Sequence, residues 1–423
     1  MTKFNMEFNW LDFGQHDAAE INATFAEFKI TVGGHPITRV LDTRARTTRE
    51  YIRVPLYPLA EWLVFNWWRL FYEVKTPGKK ASDLDQETLH CFSAAQEGFP
   101  LPQLAIYSEG DTANLRWTAY AGAFHNVEFL ESGGADVPKD DIKGEASALV
   151  RAVLDRLAET GVKTPILLEN WQAIENSDED EAEFCRAAAY LGLDPYALRQ
   201  QDAAAMMDIW RQIPEGVRAD AFTAANMDNL PQLATWIQQG IDRLGPNVRK
   251  PSQFVGRLQR PLITHVVSPW EEGYILAQHA RRELGIAPLG QPDLSKFGWR
   301  QVRASAPSST IDGLIGLEVD AITCYSNKER PESLRFLAAR SMLGWLYGAN
   351  SCLSLLTSAI TLRQQQERAF AAEFLVPAQA IKSRIAFDEV TEDQIADIAA
   401  EFQVSPFVVD HQIKNHRRAS FHL

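Results

Sequence analysis

Residues able to do chemistry are spread unevenly along this chain, and the group worth starting from lies between Pro331 and Ile381. That stretch reads as an apolar helix, a short Gly/Asn break and a second long helical run ending in FAAEFLVP. Midway along the first helix stand Arg340, Ser341 and Gly344; the second run carries Gln364, Gln365, Gln366, Glu367 and Glu373. None of the first three suits metal or proton chemistry. Arginine has no lone pair to give a metal, glycine has no side chain, and serine is a poor base without an activating partner. What Arg340 can do is donate hydrogen bonds to a carbonyl, a phosphate or a carboxylate. Pairing with Glu367 across the two helices is the structural use that the sequence favours.

Metal and nucleophile spacings are equally sparse. No histidine falls between His279 and His411. His16, His35, His90 and His125 are scattered. Near the C-terminus His411 and His416 are five apart, and His422 follows. Five residues on a helix turn about 140° away from a common ligand direction. Cys91, Cys185, Cys324 and Cys352 form no CxxC, which suggests neither a disulfide framework nor a cysteine zinc site. Cys324, Cys352 and His279 could meet only through the fold, and core packing is the default for a buried free cysteine. The sequence therefore assigns no catalytic residue, no metal ligand and no cofactor.

Composition bounds the function classes. A chain of 423 residues, 46% hydrophobic and 23% charged, fits two or three domains with proper cores. No apolar run reaches the roughly 18–20 residues that cross a bilayer, and MTKFNMEFNWLDFGQ lacks the features of a signal peptide. A cytoplasmic location without membrane association is expected. The net charge of −13 argues against sequence-independent nucleic-acid binding. Local basic clusters remain at Arg39, Arg44, Arg46, Arg49 and Arg53, and at Lys414, His416, Arg417 and Arg418.

The elements that must position these residues can be read in order. Phe25 to Val32 alternates as a strand and ends at the Gly33-Gly34 turn. Tyr57 to Tyr72 places Leu59, Leu63, Trp67 and Leu70 on one helical face, whose indoles are expected to fill a core. Lys75 to Lys80 reads as a loop. Gln103 to Tyr107 and Asn114 to Ala119 read as strands around a turn at Glu109-Gly110-Asp111, and His125 to Leu130 as another strand. Gly144 to Thr160 is an amphipathic helix. These elements suggest an α+β domain over 1–163 of unknown role and a helical segment over 164–250. The acidic run Asn176 to Glu183 suits the positive end of a helix. A helical hairpin over 184–198 resembles a DNA reader in shape, but no basic second helix follows. Gly245 to Gln259 is the expected linker.

From about residue 262 the sequence resembles a known family. SPWEEGYILAQHARRELGI (Ser268 to Ile286), the paired strands expected over Ile311 to Tyr325, Arg335 to Ala339, FAAEFLVP, and DQIADIAAEFQVSPFVVDHQIKN (Asp393 to Asn415) are similar to ImmA/IrrE metallopeptidases over roughly 262–416. The resemblance implies an α+β chain whose 262–423 domain is zincin-like, mostly helical with a small sheet. That family carries zinc on an HExxH helix, where two histidines share one face beside a glutamate. Here Arg340 and Gly344 fall at the histidine positions and Ser341 at the glutamate position. Gln364 to Gln366 and Glu367 occupy the region of the carboxylate from the next helix.

The resemblance thus implies a catalytically inactive, peptidase-like protein that recognises a protein partner. The family's settings are phage defence, toxin–antitoxin pairs and stress response. Two other expectations are kept: a metallopeptidase with a non-standard ligand set, and a nucleic-acid-binding regulator. Nucleic acid is the less favoured partner.

Overall fold

A computed structural model describes residues 2–12, 16–78, 88–95, 98–121, 126–245, 248, 253–263, 268–305, 308–385 and 390–420, with side chains to residue 416. His125, His422, the side chains of Arg417 and Arg418, and parts of the expected 75–80 loop and 245–259 linker lie outside them. The chain is α+β. It packs as two compact units: residues 1–75 with 80–204, and residues 76–79 with 205–423. Residues of the 164–250 helical segment contribute to both.

The first unit opens with strand β1 (Phe4–Trp10), short helix α1 (Ala19–Ala23) and strand β2 (Phe25–Val32). β1 and β2 pair antiparallel along seven residues, from Phe4 opposite Val32 to Trp10 opposite Ala26. The alternation read from the sequence puts Ala26, Phe28, Ile30 and Val32 inward, all buried. Gly33 and Gly34 both have positive φ, 59° and 85°, which lets the chain turn at once into β3 (His35–Pro36). Strands β4 (Val40–Asp42), β5 (Thr47–Arg49) and β6 (Ile52–Pro55) follow, β6 adding to the other edge of β2.

Helix α2 (Tyr57–Tyr72) is the core of this unit. Its Leu59, Leu63, Trp67 and Leu70 are buried, and Trp67 meets Trp171 edge-on at 5.2 Å. The indoles therefore fill the core. Strands β7 (Gln103–Ser108), β8 (Thr112–Thr118), β9 (Tyr120–Ala121), β10 (Val127–Phe129) and β11 (Gly133–Pro138) complete two further antiparallel sheets. Helices α3 (Lys139–Glu159), α4 (Pro165–Glu175) and α5 (Glu179–Tyr190) pack around α2. The helix read from Gly144 thus starts five residues earlier. At α5, Asp178 caps the first turn, where the acidic run faces the helix dipole.

After α6 (Gln200–Gln212), the second unit contains α7 (Glu215–Ala224) and α8 (Leu230–Leu244). A four-stranded sheet in the order β12-β14-β13-β15 follows. It is built from β12 (Trp299–Arg303), β13 (Ile311–Leu317), β14 (Ile322–Ser326) and β15 (Leu353–Thr357). β12 runs parallel to β14; the other pairs are antiparallel. Strand β15 corrects the reading of Pro331 to Ile381 as two helices around a short break. The segment Leu353–Thr357 pairs with β13 and buries Leu353, Leu355 and Leu356, so apolar burial in a sheet overrides its helical surroundings.

Helix α9 (Pro269–Glu283) begins with a full capping box between Ser268 and Glu271. Helix α10 (Pro331–Tyr347) leads to β15, and α11 (Leu362–Leu375) follows it. α9 and α11 approach so closely that a Cβ on Gly273 would stand 2.6 Å from the Gln366 carbonyl oxygen. Helices α12 (Ala378–Lys382), α13 (Glu392–Phe402) and α14 (Pro406–Ser420) close the unit. Phe254 and Leu258, in the expected linker, hydrogen-bond to Ala349 and Leu346 at the end of α10.

Candidate functional site

Arg340 lies past the middle of α10, and its side chain is only 3% exposed. Its Nη1 donates to Asp312 Oδ2 at 2.7 Å. Its Nη2 donates to the Thr357 carbonyl at 3.2 Å and to Gln364 Oε1, and stands 3.8 Å from Glu367 Oε2. Asp312 sits where the β13–β15 register shifts, between Ile311 and Gly313. Such an irregularity redirects a side chain relative to its neighbours. The other Asp312 oxygen takes Lys328 Nζ at 2.8 Å. Burial pushes the Asp312 carboxyl up, but Arg340 and Lys328 outweigh it and hold the group below the usual range.

A second tier surrounds this pair. Arg363 donates to Glu367 Oε1, to Asp220 Oδ2 of α7 at 2.6 Å, and to the Leu355 carbonyl at 2.9 Å. Gln364 accepts from the Thr357 N–H at 3.1 Å and donates to the Leu355 carbonyl at 2.8 Å. It thereby ties α11 to β15. Arg368 donates to the carbonyls of Thr357 and Ala359; burial, reinforced by Arg340, pushes its guanidinium down to about 10. Burial pushes the Glu367 carboxyl up against the pull of Arg363 and Arg340. Four cationic side chains, Lys328, Arg340, Arg363 and Arg368, thus meet three anionic ones, Asp220, Asp312 and Glu367. In this low-dielectric setting each partner satisfies another that would be costly alone.

The remaining sequence candidates fall around the same two helices. Ser341 is buried, and its hydroxyl donates back to the Ala338 carbonyl at 2.7 Å, a local contact that leaves it no activating base. At Gly344 an added Cβ would touch Leu317 and Ala349 at 3.4 Å, so there is little room for an imidazole. Gln366 is buried in α11. The donor set does not fit zinc. Arg340 and Gly344 offer a metal no lone pair, and the Ser341 hydroxyl is spent on its own helix. Among the described residues no three His, Cys, Asp or Glu side chains converge to hold a metal ion.

Glu373, in the FAAEF string, is 1% exposed and structural. Its Oε1 accepts from Gln278 Nε2 at 3.0 Å, and its Oε2 from the Ala378 N–H at 2.9 Å and Gln412 Nε2 at 3.1 Å. It joins α9, α12 and α14. Burial pushes its carboxyl up, against these three hydrogen bonds and the Arg281 charge. His279 instead bonds Tyr347 Oη at 2.8 Å. Burial, with Lys382, lowers His416 to about 4, and the ring stacks on Tyr274.

Of the N-terminal arginine cluster, Arg39 pairs with Glu131, Arg49 with Asp42 and Arg53 with Glu27. Lys414 pairs with Asp410. Sequence reasoning found Arg340, Gln364 and Glu367 but missed Asp220, Asp312 and Lys328. Those three lie on other elements, with no periodicity or motif that joins them to α10. No helix is long and apolar enough to cross a membrane among the described residues. Set against known proteins, the chain matches no family model, no curated protein and no solved structure.

Proposed function

We propose that the second unit is a catalytically inactive, peptidase-like domain that serves as a recognition or assembly module for a protein partner in a regulatory setting. The reading rests on the resemblance of residues 262–416 to ImmA/IrrE peptidases. The observation that carries it is Arg340, which takes the first metal-ligand position and spends its donors on Asp312, Thr357 and Gln364. A cation fixed there repels a second cation. Phage defence, toxin–antitoxin control and stress response are the settings this reading favours.

Elemental analysis of dialysed protein, paired with cleavage assays on a peptide library, tests it. Expected are substoichiometric zinc, an unfolding midpoint unmoved by chelator or added zinc, no cleavage, and a stoichiometric complex with another protein under native conditions. Stoichiometric zinc that survives dialysis, or peptide cleavage that chelator abolishes, overturns the reading, because resident zinc contributes directly to folding.

A further inference from the structure

In the first unit, helix α3 sets two lysines on one tyrosine. Lys139 and Lys143 are four residues apart and share a face of the helix. Their Nζ atoms stand 4.6 Å and 4.4 Å from the centre of the Tyr72 ring, at the end of α2. Each ammonium gains from the ring, but like charges at this spacing repel. Lys143 also donates to Tyr72 Oη at 2.7 Å. A third cation, Arg186 of α5, adds its charge to the repulsion that Lys139 feels. Tyr190, at the end of α5, meets Tyr72 edge-on at 6.2 Å. This cluster does not depend on the peptidase resemblance.

Negative charge is short around these three side chains. Lys139 Nζ makes no hydrogen bond or ion pair among the described residues, and its printed contact is the Tyr72 ring alone. Arg186 pairs with Glu179, whose side chain is 85% exposed, and a pair of that kind is held loosely. Asp111 and Asp140 favour the Lys139 ammonium, but neither is in an ion pair with it. Burial first, and then Lys143, pushes that ammonium down to about 8, as expected of a cation short of an anion. Lys139, Lys143 and Arg186 are half-buried rather than enclosed, so a small solute reaches them.

We infer that Lys139, Lys143 and Arg186 bind a phosphate dianion, free or as the phosphate of a small monoester, beside the Tyr72 ring. Lysine and arginine both donate charge-assisted hydrogen bonds to phosphate oxygens. An anion between the two lysines replaces their repulsion with two attractions. The positive end of α3, where Lys139 is the first residue, adds to the field, and Asp140 and Asp141 in the same turn offset part of it.

The test uses the intact protein and inorganic phosphate at constant ionic strength, read by NMR at the lysine ε-carbons, with Lys139→Gln identifying the Lys139 signal. Phosphate is expected to shift that signal saturably and to raise the pH at which Lys139 titrates, because a bound anion favours the ammonium. Chloride at matched ionic strength should do neither. Loss of a charge-assisted hydrogen bond in Lys143→Gln should weaken phosphate about tenfold. Arg186→Gln should weaken it from a different helix. Phenyl phosphate distinguishes the sources: tighter binding than inorganic phosphate assigns the site to a monoester, weaker binding to the free ion. No saturable shift with phosphate, an equal response to chloride, or unchanged affinity in a folded Lys143→Gln protein would each overturn the inference. Should Lys143→Gln fail to fold, Arg186→Gln decides alone, and unchanged affinity there counts against it.

Discussion

Two carboxylates on one helix are buried to nearly the same degree and held in opposite ways. Glu367 lies among guanidinium groups: Arg363 donates to one oxygen, and the other faces Arg340 at 3.8 Å without a hydrogen bond. Glu373, six residues on, is met by two side-chain amides and a backbone N–H, with both oxygens engaged. Burial pushes both carboxyls up. Glu367 is held by charge, which acts over distance and tolerates loose geometry. Direction holds Glu373, through hydrogen bonds that fail when a partner moves. The charged site ties α11 to α10, α7 and the sheet, and the amide site joins helices.

The strongest way to break this contrast is Arg340→Ala. It leaves Asp312 with Lys328 alone and weakens the hold on Glu367, and loss of one partner of a buried pair costs about 3–5 kcal/mol. Denaturant unfolding should show that loss; a cost near zero would mean that the network is not held by charge. Glu367→Gln comes next, at about 2–3 kcal/mol, since Arg340 and Arg363 then keep a buried excess of positive charge.

Glu373→Gln should cost less, about 1 kcal/mol or below, because Gln278 can turn its amide to present oxygen to the new NH₂. Equal costs for the two glutamines would erase the distinction. The pH profile of Glu373→Gln sharpens it. A carboxyl raised by folding binds its proton more tightly in the native state. Its contribution is therefore present below the unfolded value of about 4.3 and lost as pH rises through the folded value. The stability of the parent protein relative to Glu373→Gln should fall as pH rises across that window. Asp312, held low, should act in reverse. Relative to Asp312→Asn, the parent should gain stability above about pH 3.9 and lose it as pH falls through the folded value. The smallest effect expected is that of Ser341→Ala, within about 0.5 kcal/mol, since its hydroxyl only returns to its own helix.

Local signals carried much of the fold. The alternation of Phe25–Val32, the apolar face of Tyr57–Tyr72 and the Ser268 cap each follow from neighbours along the chain. The parallel strand β12 and strand β15 were not legible, because their reason is a partner strand far away in sequence. The site divides similarly. Arg340, Gln364 and Glu367 lie on helices that can be read from the sequence, and the approach of Arg340 to Glu367 could be anticipated. Asp312 owes its aim to an irregularity in β13, and Asp220 reaches Arg363 from 143 residues away. Neither leaves a local trace.

The close approach of α9 to α11 carries a consequence for how this chain can vary. Gly273 has no functional group and takes no part in the ion network. Yet a methyl group there would run into the backbone of Gln366 and Phe370 and prise α11 away from its partner helix. Both glutamates ride on α11. In a survey of tolerated substitutions, position 273 should therefore be among the most restricted in the second unit, ahead of residues whose chemistry looks far more telling.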